Sequence, residues 1–423
     1  MANTRSVFEG TVLHEINIEA LRSFTTVFYL GNAQLKQKQL LSIGSLKTVQ
    51  TYKKDAFKKL NSFRKEINDW AFGWINYDVK NELENLSSLN PMQFNNPLMY
   101  FAQPKIVFEI EGKNIKCHYF EEHHSEEDII QLTEQIWSDQ KARATTIPSI
   151  QFEPTLTKSN YIKQVESLKR HIRRGDIYEA NFCQIFKANG SINPYQSYET
   201  LIRSSPTPFS AFVQLDNYFT LCASPERFVK KEGNKITSQP IKGTIERGAT
   251  QKEDLEKKVQ LQKSKKDQTE NVMIVDLVRN DLSKVAAKGT VTVDELFGIY
   301  SFEQVHQMIS TISCQIADNQ DGVSAIEALF PIASMTGVPK IRAMELIEEH
   351  EDFQRELYSG CIGYFTPSHD FDFNVVIRSL FYNSTSRSLS YAAGGAIIDA
   401  SDPEAEYDES ILKAKAITNL FSD

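Results

Sequence analysis

Lys242 sits in the run Ser238-Gln239-Pro240-Ile241-Lys242-Gly243-Thr244, behind a hairpin pattern: Arg227 to Lys230, a turn at Glu232-Gly233-Asn234, then Lys235 to Thr237. A lysine on a rigid strand-end turn can be pressed into an apolar pocket, where burial disfavours its charge and leaves a free, nucleophilic amine. A surface lysine beside a turn glycine is the plainer reading, and the pair alone does not choose. Two acidic pairs suggest a second kind of chemistry. Asp267 and Glu270, and likewise Glu406 and Glu409, are three residues apart in helix-like runs, so the carboxylates of each pair share one helix face. Two such faces turned together would form an oxygen-rich cage for a hard cation such as magnesium, which takes only one or two carboxylates and leaves room for a substrate oxyanion. The alternatives are a solvated face for the first pair and, after Asp402-Pro403, acids that merely complement a helix N-terminus for the second.

Groups suited to an anionic ligand lie in the same half of the chain. Lys413 follows Glu409 by four residues and projects from the same helix face. Arg378 ends the strand-like run Asn374-Val375-Val376-Ile377-Arg378, and its fork suits a carboxylate. Gly394-Gly395 follows the strand-like Leu389 to Ala393, where absent side chains permit close backbone approach. Met335 to Lys340 is a loop opening a helix at Pro339, a terminus able to receive an anion. Each also has an ordinary structural reading as an ion-pair partner, bulge or helix start.

The elements that must position these groups fall into blocks. Amphipathic helices are expected near 47–67 and 125–142, strands at 71–77 and 105–110, and a connector from Thr145 to Thr155. A helix from about Asn160 to Arg174 stops at Gly175, strands dominate 177–244, helix dominates 251–285, and strands and helices alternate thereafter. Blocks of this kind favour an α+β fold with largely antiparallel sheets, residues 1–150 contributing strands and helices to a core shared with a second region over 155–420. A net charge of −8 argues against nucleic-acid or anionic-membrane ligands. The N-terminus lacks signal-peptide order, no apolar run is long enough for a membrane span, and five dispersed cysteines without a CxxC suit a reduced, cytoplasmic protein.

In combination the motifs resemble the chorismate-utilising enzymes: Cys222 to Phe228, Pro240 to Thr244, Glu270 to Asp281, Thr336 to Lys340, Arg342 to Glu345, Ile377 to Ser379, and Gly394 to Lys413, in that order. The resemblance is strong over 155–420 and loose before, through Gly73 to Asp78. It implies an anthranilate synthase-like layered fold whose two intimate subdomains hold mixed, mainly antiparallel sheets flanked by helices. Lys242 stands where aminodeoxychorismate synthase component I is similar in having lysine and anthranilate synthases carry alanine. That branch therefore implies amination of chorismate at carbon 4. Anthranilate synthase chemistry and a non-catalytic chorismate-binding homologue are the alternatives.

The resemblance also implies roles. Lys242 becomes a nucleophile and Glu226 the general acid. Glu270 and Glu409 become Mg²⁺ ligands, with Asp267 and Glu406 on metal-bound waters. Gly243, Thr244, His306, Tyr364, Arg378, Gly394 and Lys413 become substrate contacts. Glu179, in Tyr178-Glu179-Ala180-Asn181, departs from the pattern: isochorismate- and salicylate-forming relatives place a water-activating lysine there, and aminating ones usually a glutamine. No cysteine–histidine glutaminase motif is apparent, so ammonia is expected from solution or from a separate glutamine amidotransferase subunit.

Overall fold

The computed structural model describes residues 4–35, 37–139, 147–303 and 305–421. Two sheets carry these residues, and every strand pairing among them is antiparallel. The larger sheet runs from Ser6–Thr11 at one edge to Glu179–Asn189 and the short Gly337–Val338 at the other. The smaller runs from Ile241–Glu246 and Val305–Gln315 to Lys47–Thr51.

The N-terminal third contributes to both sheets rather than standing apart. Thr26–Leu30 pairs with Phe209–Leu215, and Ala71–Ile75 pairs with Cys361–Phe365. Between the sheets, Phe28 from the larger packs on Phe72, Trp74 and Tyr100 from the smaller, with Trp74 and Tyr100 stacked at 4.8 Å. Phe28, Phe72 and Trp74 are wholly buried. Each such side chain contributes about 1.5–3 kcal/mol through removal from water. The expected connector survives in part: Glu153–Pro154 pairs with Phe186 and Lys187, while Thr145 and Thr146 lie outside the described residues.

Three expectations about elements need correction. Residues 47–51 form an edge strand on Met99–Gln103, and the helix begins only at Ala56; the β-branched Thr48, Val49 and Thr51 suit a pleated surface better than a helix. The second expected helix is shorter, Glu126–Ile136, with Ser125 and Asp128 in a reciprocal capping box. The long helical block divides into Gln251–Lys263 and Lys265–Ser283 at Ser264, whose side chain accepts from the Asp267 amide. That cap starts a new helix with Asp267 in its first turn.

One buried ion pair fastens the site-bearing segments together. Arg355, 4 % exposed, donates to both oxygens of Glu351 and to the carbonyls of Asn181 and Met335, and stacks on Tyr77 at 4.6 Å. It thereby ties the Glu179 strand to the Thr336 loop and the N-terminal third. Arg355→Met would leave Glu351 buried and uncompensated, so a loss of about 3–5 kcal/mol is expected in denaturant unfolding.

Candidate active site

Lys242 lies within the strand Ile241–Glu246 rather than in a turn after it. Ile241 pairs with Ile309 and Thr244 with Gln307, so Lys242 and Gly243 together oppose a single residue. This is a β-bulge, which re-aims side chains relative to a regular strand. Gly243 has φ +89°, and a Cβ there would lie 3.0 Å from the Asp267 side chain. Both the backbone conformation and the closeness of the Lys265–Ser283 helix therefore require glycine.

The bulge delivers Lys242 into a buried group of acids. Its Nζ donates to Glu179 Oε1 at 2.6 Å, with Lys242 8 % and Glu179 1 % exposed. Burial opposes the lysine's charge, but Glu179, Glu270 and Glu226 outweigh it and hold the ammonium above its ordinary value. The sequence-based expectation of a free amine is thus overturned for the ligand-free chain, because burial here brings carboxylates with it.

Glu226, expected as an acid, is 4 % exposed and accepts from Ser334 Oγ at 2.7 Å. Burial pushes its carboxyl up to about 7, against the opposing effects of Ser334, Lys242 and Arg378. It does not pair with Arg227, which forks onto Asp372 instead. Arg378 lies between the strands Phe371–Asn374 and Ser379–Asn383 rather than at a strand end, with φ +50°.

The two acidic helices converge. Lys266 reaches Glu270 at 3.9 Å and Glu406 at 4.0 Å, spanning Lys265–Ser283 and Pro403–Thr418. Lys413 Nζ bonds Glu409 at 2.7 Å and the Gly394 carbonyl at 2.9 Å. Burial pushes Glu270 up to about 7, with Lys242 opposing, and also raises Glu406. Glu409 stays below its ordinary value although burial works the other way, because Lys413 and Lys266 face it. Glu270 Oε1 is buried without a hydrogen-bond partner. Among the described residues no three acids, histidines or cysteines converge as a ready-made metal cluster. The acids nevertheless suit a hard cation in chemistry: crowded carboxylates, an orphaned buried oxygen and a lysine charge between them.

Gly394 lies inside the strand Ser388–Ile397, not after it. A Cβ on Gly394 would meet the Phe182 carbonyl at 2.0 Å, so this glycine serves the neighbouring strand.

Two expected substrate contacts sit apart from this group. Tyr364 packs on Trp70 and Phe72 and lines a cavity of about 1770 Å³ between the sheets. Its strand partner is Phe72, which packs on Phe28 of the larger sheet. His306 has both ring nitrogens engaged, by Asp254 at 3.0 Å and Ser301 at 2.8 Å, an arrangement that anchors the Gln251–Lys263 helix. Thr244 is exposed beside the bulge. Sequence reasoning missed Ser334 and Lys266, which carried no motif signal, and assigned nothing to Glu179, whose only signal was its departure from the expected residue.

The family signature for "chorismate binding enzyme" matches residues 25–419. The chain belongs to the chorismate-binding enzymes. It is 33 % identical to aminodeoxychorismate synthase component 1 of Bacillus subtilis over 82 % of this chain and 76 % of that one. It is 30 % identical to anthranilate synthase component 1 of Cereibacter sphaeroides, over 83 % and 73 %. A probable chloroplastic aminodeoxychorismate synthase of Oryza sativa is 41 % identical, but the match spans only 30 % of its length. The fold is similar to that of anthranilate synthase component I from Streptococcus pneumoniae, with TM-score 0.79 and 23 % identity over 90 % of this chain and 92 % of that one. The fold is a pair of antiparallel sheets with helices outside, not a closed barrel. No helix among the described residues is long and apolar enough to cross a membrane.

Proposed function

We propose that this chain aminates chorismate at carbon 4, giving 4-amino-4-deoxychorismate, with ammonia supplied by a separate glutamine amidotransferase subunit. The observation that carries the reading is a buried lysine at a bulge, facing an acid whose carboxyl is held near neutrality. Similarity to relatives named component 1 supports a second component. In this reading Lys242 adds to carbon 2 while Glu226 protonates the hydroxyl leaving carbon 4; ammonia then adds at carbon 4 and expels the lysine. Arg378 and Lys413 present cationic groups for the substrate carboxylates. Glu270 and Glu409 would hold a magnesium ion, with Asp267 and Glu406 behind them, and the ion would neutralise the ring carboxylate.

Product identification tests the reading. Chorismate, magnesium chloride and ammonium salt are expected to yield 4-amino-4-deoxychorismate, converted to para-aminobenzoate on adding the corresponding lyase. Release of pyruvate with anthranilate by the chain alone would establish the alternative, which the Cereibacter relative keeps in view. Free-ammonia turnover should rise with pH as ammonium loses its proton, whereas glutamine with the amidotransferase subunit should flatten that rise.

Glu226 sets a second pH dependence. A general acid must carry its proton, so kcat/KM with the glutamine-fed complex is expected to fall as pH rises through about 7. Glu226→Gln should lower kcat by about 10²–10⁴-fold with little change in KM for chorismate. An unchanged kcat would remove Glu226 from the reaction.

A further inference from the structure

We propose that Glu179 acts through Lys242, fixing the ammonium at the bulge and taking its proton as the nitrogen attacks carbon 2. The inference rests on the covalent amination proposed above and gives a role to a buried acid that directly contacts Lys242.

The geometry singles out Glu179 among the carboxylates around the lysine. Glu226 faces Lys242 from the segment before Arg227–Glu232, Glu270 from the Lys265–Ser283 helix, and Glu409 from the Pro403–Thr418 helix. Glu226 is held by Ser334 and is needed in its protonated form for the departing hydroxyl. Glu270 Oε1 has no hydrogen-bond partner, so that oxygen does not receive a lysine proton. Glu179 makes the direct contact, Nζ to Oε1 at 2.6 Å, within the distance required for proton transfer.

Its placement is also built. Glu179 and Ala180 pair with Val338 and Gly337, and the Asn181 carbonyl two residues on is held by Arg355. The carboxyl's other oxygen, Oε2, is buried and has no donor. Oε1 is thus the carboxyl oxygen in contact with the ammonium. A glutamine at this position could orient the ammonium but could not store its proton.

The step balances within the site. Glu179 takes one proton from the Lys242 ammonium, and the freed lone pair forms the N–C bond at carbon 2. Both ring double bonds shift, the C–O bond at carbon 4 breaks, and the hydroxyl leaves as water with the proton of Glu226. In the second half, ammonia bonds to carbon 4, the N–C bond at carbon 2 breaks, and the departing lysine recovers its proton from Glu179.

The test follows the adduct rather than turnover. The full-length chain with magnesium chloride and chorismate, without ammonia, is quenched at intervals, and added mass on the Lys242 peptide is measured across a range of pH. For the wild type, fast adduct formation is expected, falling as pH rises through about 7 because Glu226 must carry the proton for the leaving hydroxyl. Glu179→Gln should slow it about 10²-fold at neutral pH, with the deficit shrinking as pH rises and solvent removes the proton instead. Glu179→Asp, which keeps a carboxylate, should retain the wild-type profile at a reduced rate. Wild-type adduct rates in Glu179→Gln at neutral pH, or a deficit constant with pH, would overturn the role assigned to Glu179 while leaving the amination reading intact. Absence of any adduct in the wild type would overturn the covalent reading and this role together.

Discussion

Lys242→Ala is expected to reduce amination of chorismate by on the order of 10³-fold or more, and to abolish added mass on the peptide that carries residue 242. What remains should be direct attack of ammonia on carbon 4, with Glu226 still available to protonate the leaving hydroxyl. The substitution also leaves Glu179, 1 % exposed, without its counter-ion, and an unpaired buried carboxylate destabilises strongly. Activity loss could therefore reflect unfolding unless a companion variant separates the two. Lys242→Ala combined with Glu179→Gln removes both charges at once and should recover most of the lost stability, because eliminating a buried pair is far milder than halving it. If the double variant folds like the wild type and is far less active than Glu179→Gln alone, the lysine acts in chemistry. Wild-type turnover in either variant would end the covalent route.

How much of this was legible in the sequence depended on whether a residue's surroundings were local. The paired acids were readable because helix spacing fixes which side chains share a face, and Asp402 does cap its helix as read, accepting from the Glu404 and Ala405 amides. The helix ending at Gly175 was readable for the same reason, with that glycine left-handed at φ +87°. The state of Lys242 was not. Its burial was anticipated, but its charge depends on Glu179, 63 residues away in sequence and adjacent only because two sheets and the Thr336 loop converge there. The bulge was invisible too, since it is a mismatch between two strands and neither strand records it alone. Tyr364 illustrates what sequence proximity leaves open. Its motif is close in sequence to Arg378, but strand alternation places it on the face toward the large cavity.

Removing either Glu270 or Glu409 should abolish magnesium binding, and calorimetry with magnesium chloride measures this without turnover. Loss of Glu270 should leave the fold intact or firmer, whereas loss of Glu409, which Lys413 and Lys266 hold ionised, should cost some stability. The helices Lys265–Ser283 and Pro403–Thr418 meet at Lys266, which reaches Glu270 and Glu406, while Lys242 faces Glu270 and Lys413 pairs with Glu409. Burial raises Glu270 to about 7 from an ordinary 4.5. Between those values the folded chain holds a proton that the unfolded chain has lost, so this group's contribution to stability falls as pH rises through that window. Glu270→Gln removes the penalty. Its melting temperature should exceed that of the wild type without magnesium above pH ~7, and the difference should shrink toward the ordinary carboxylate range. Added magnesium should raise the wild type's melting temperature and leave the variant's unchanged. Asp267→Asn and Glu406→Gln, acting behind the ligands, should weaken magnesium by about 10–100-fold rather than abolish it. Undiminished magnesium affinity in Glu270→Gln would place the ion elsewhere. A melting temperature for that variant below the wild type's at alkaline pH would show that the carboxylate stabilises the fold, contrary to the burial that raises it.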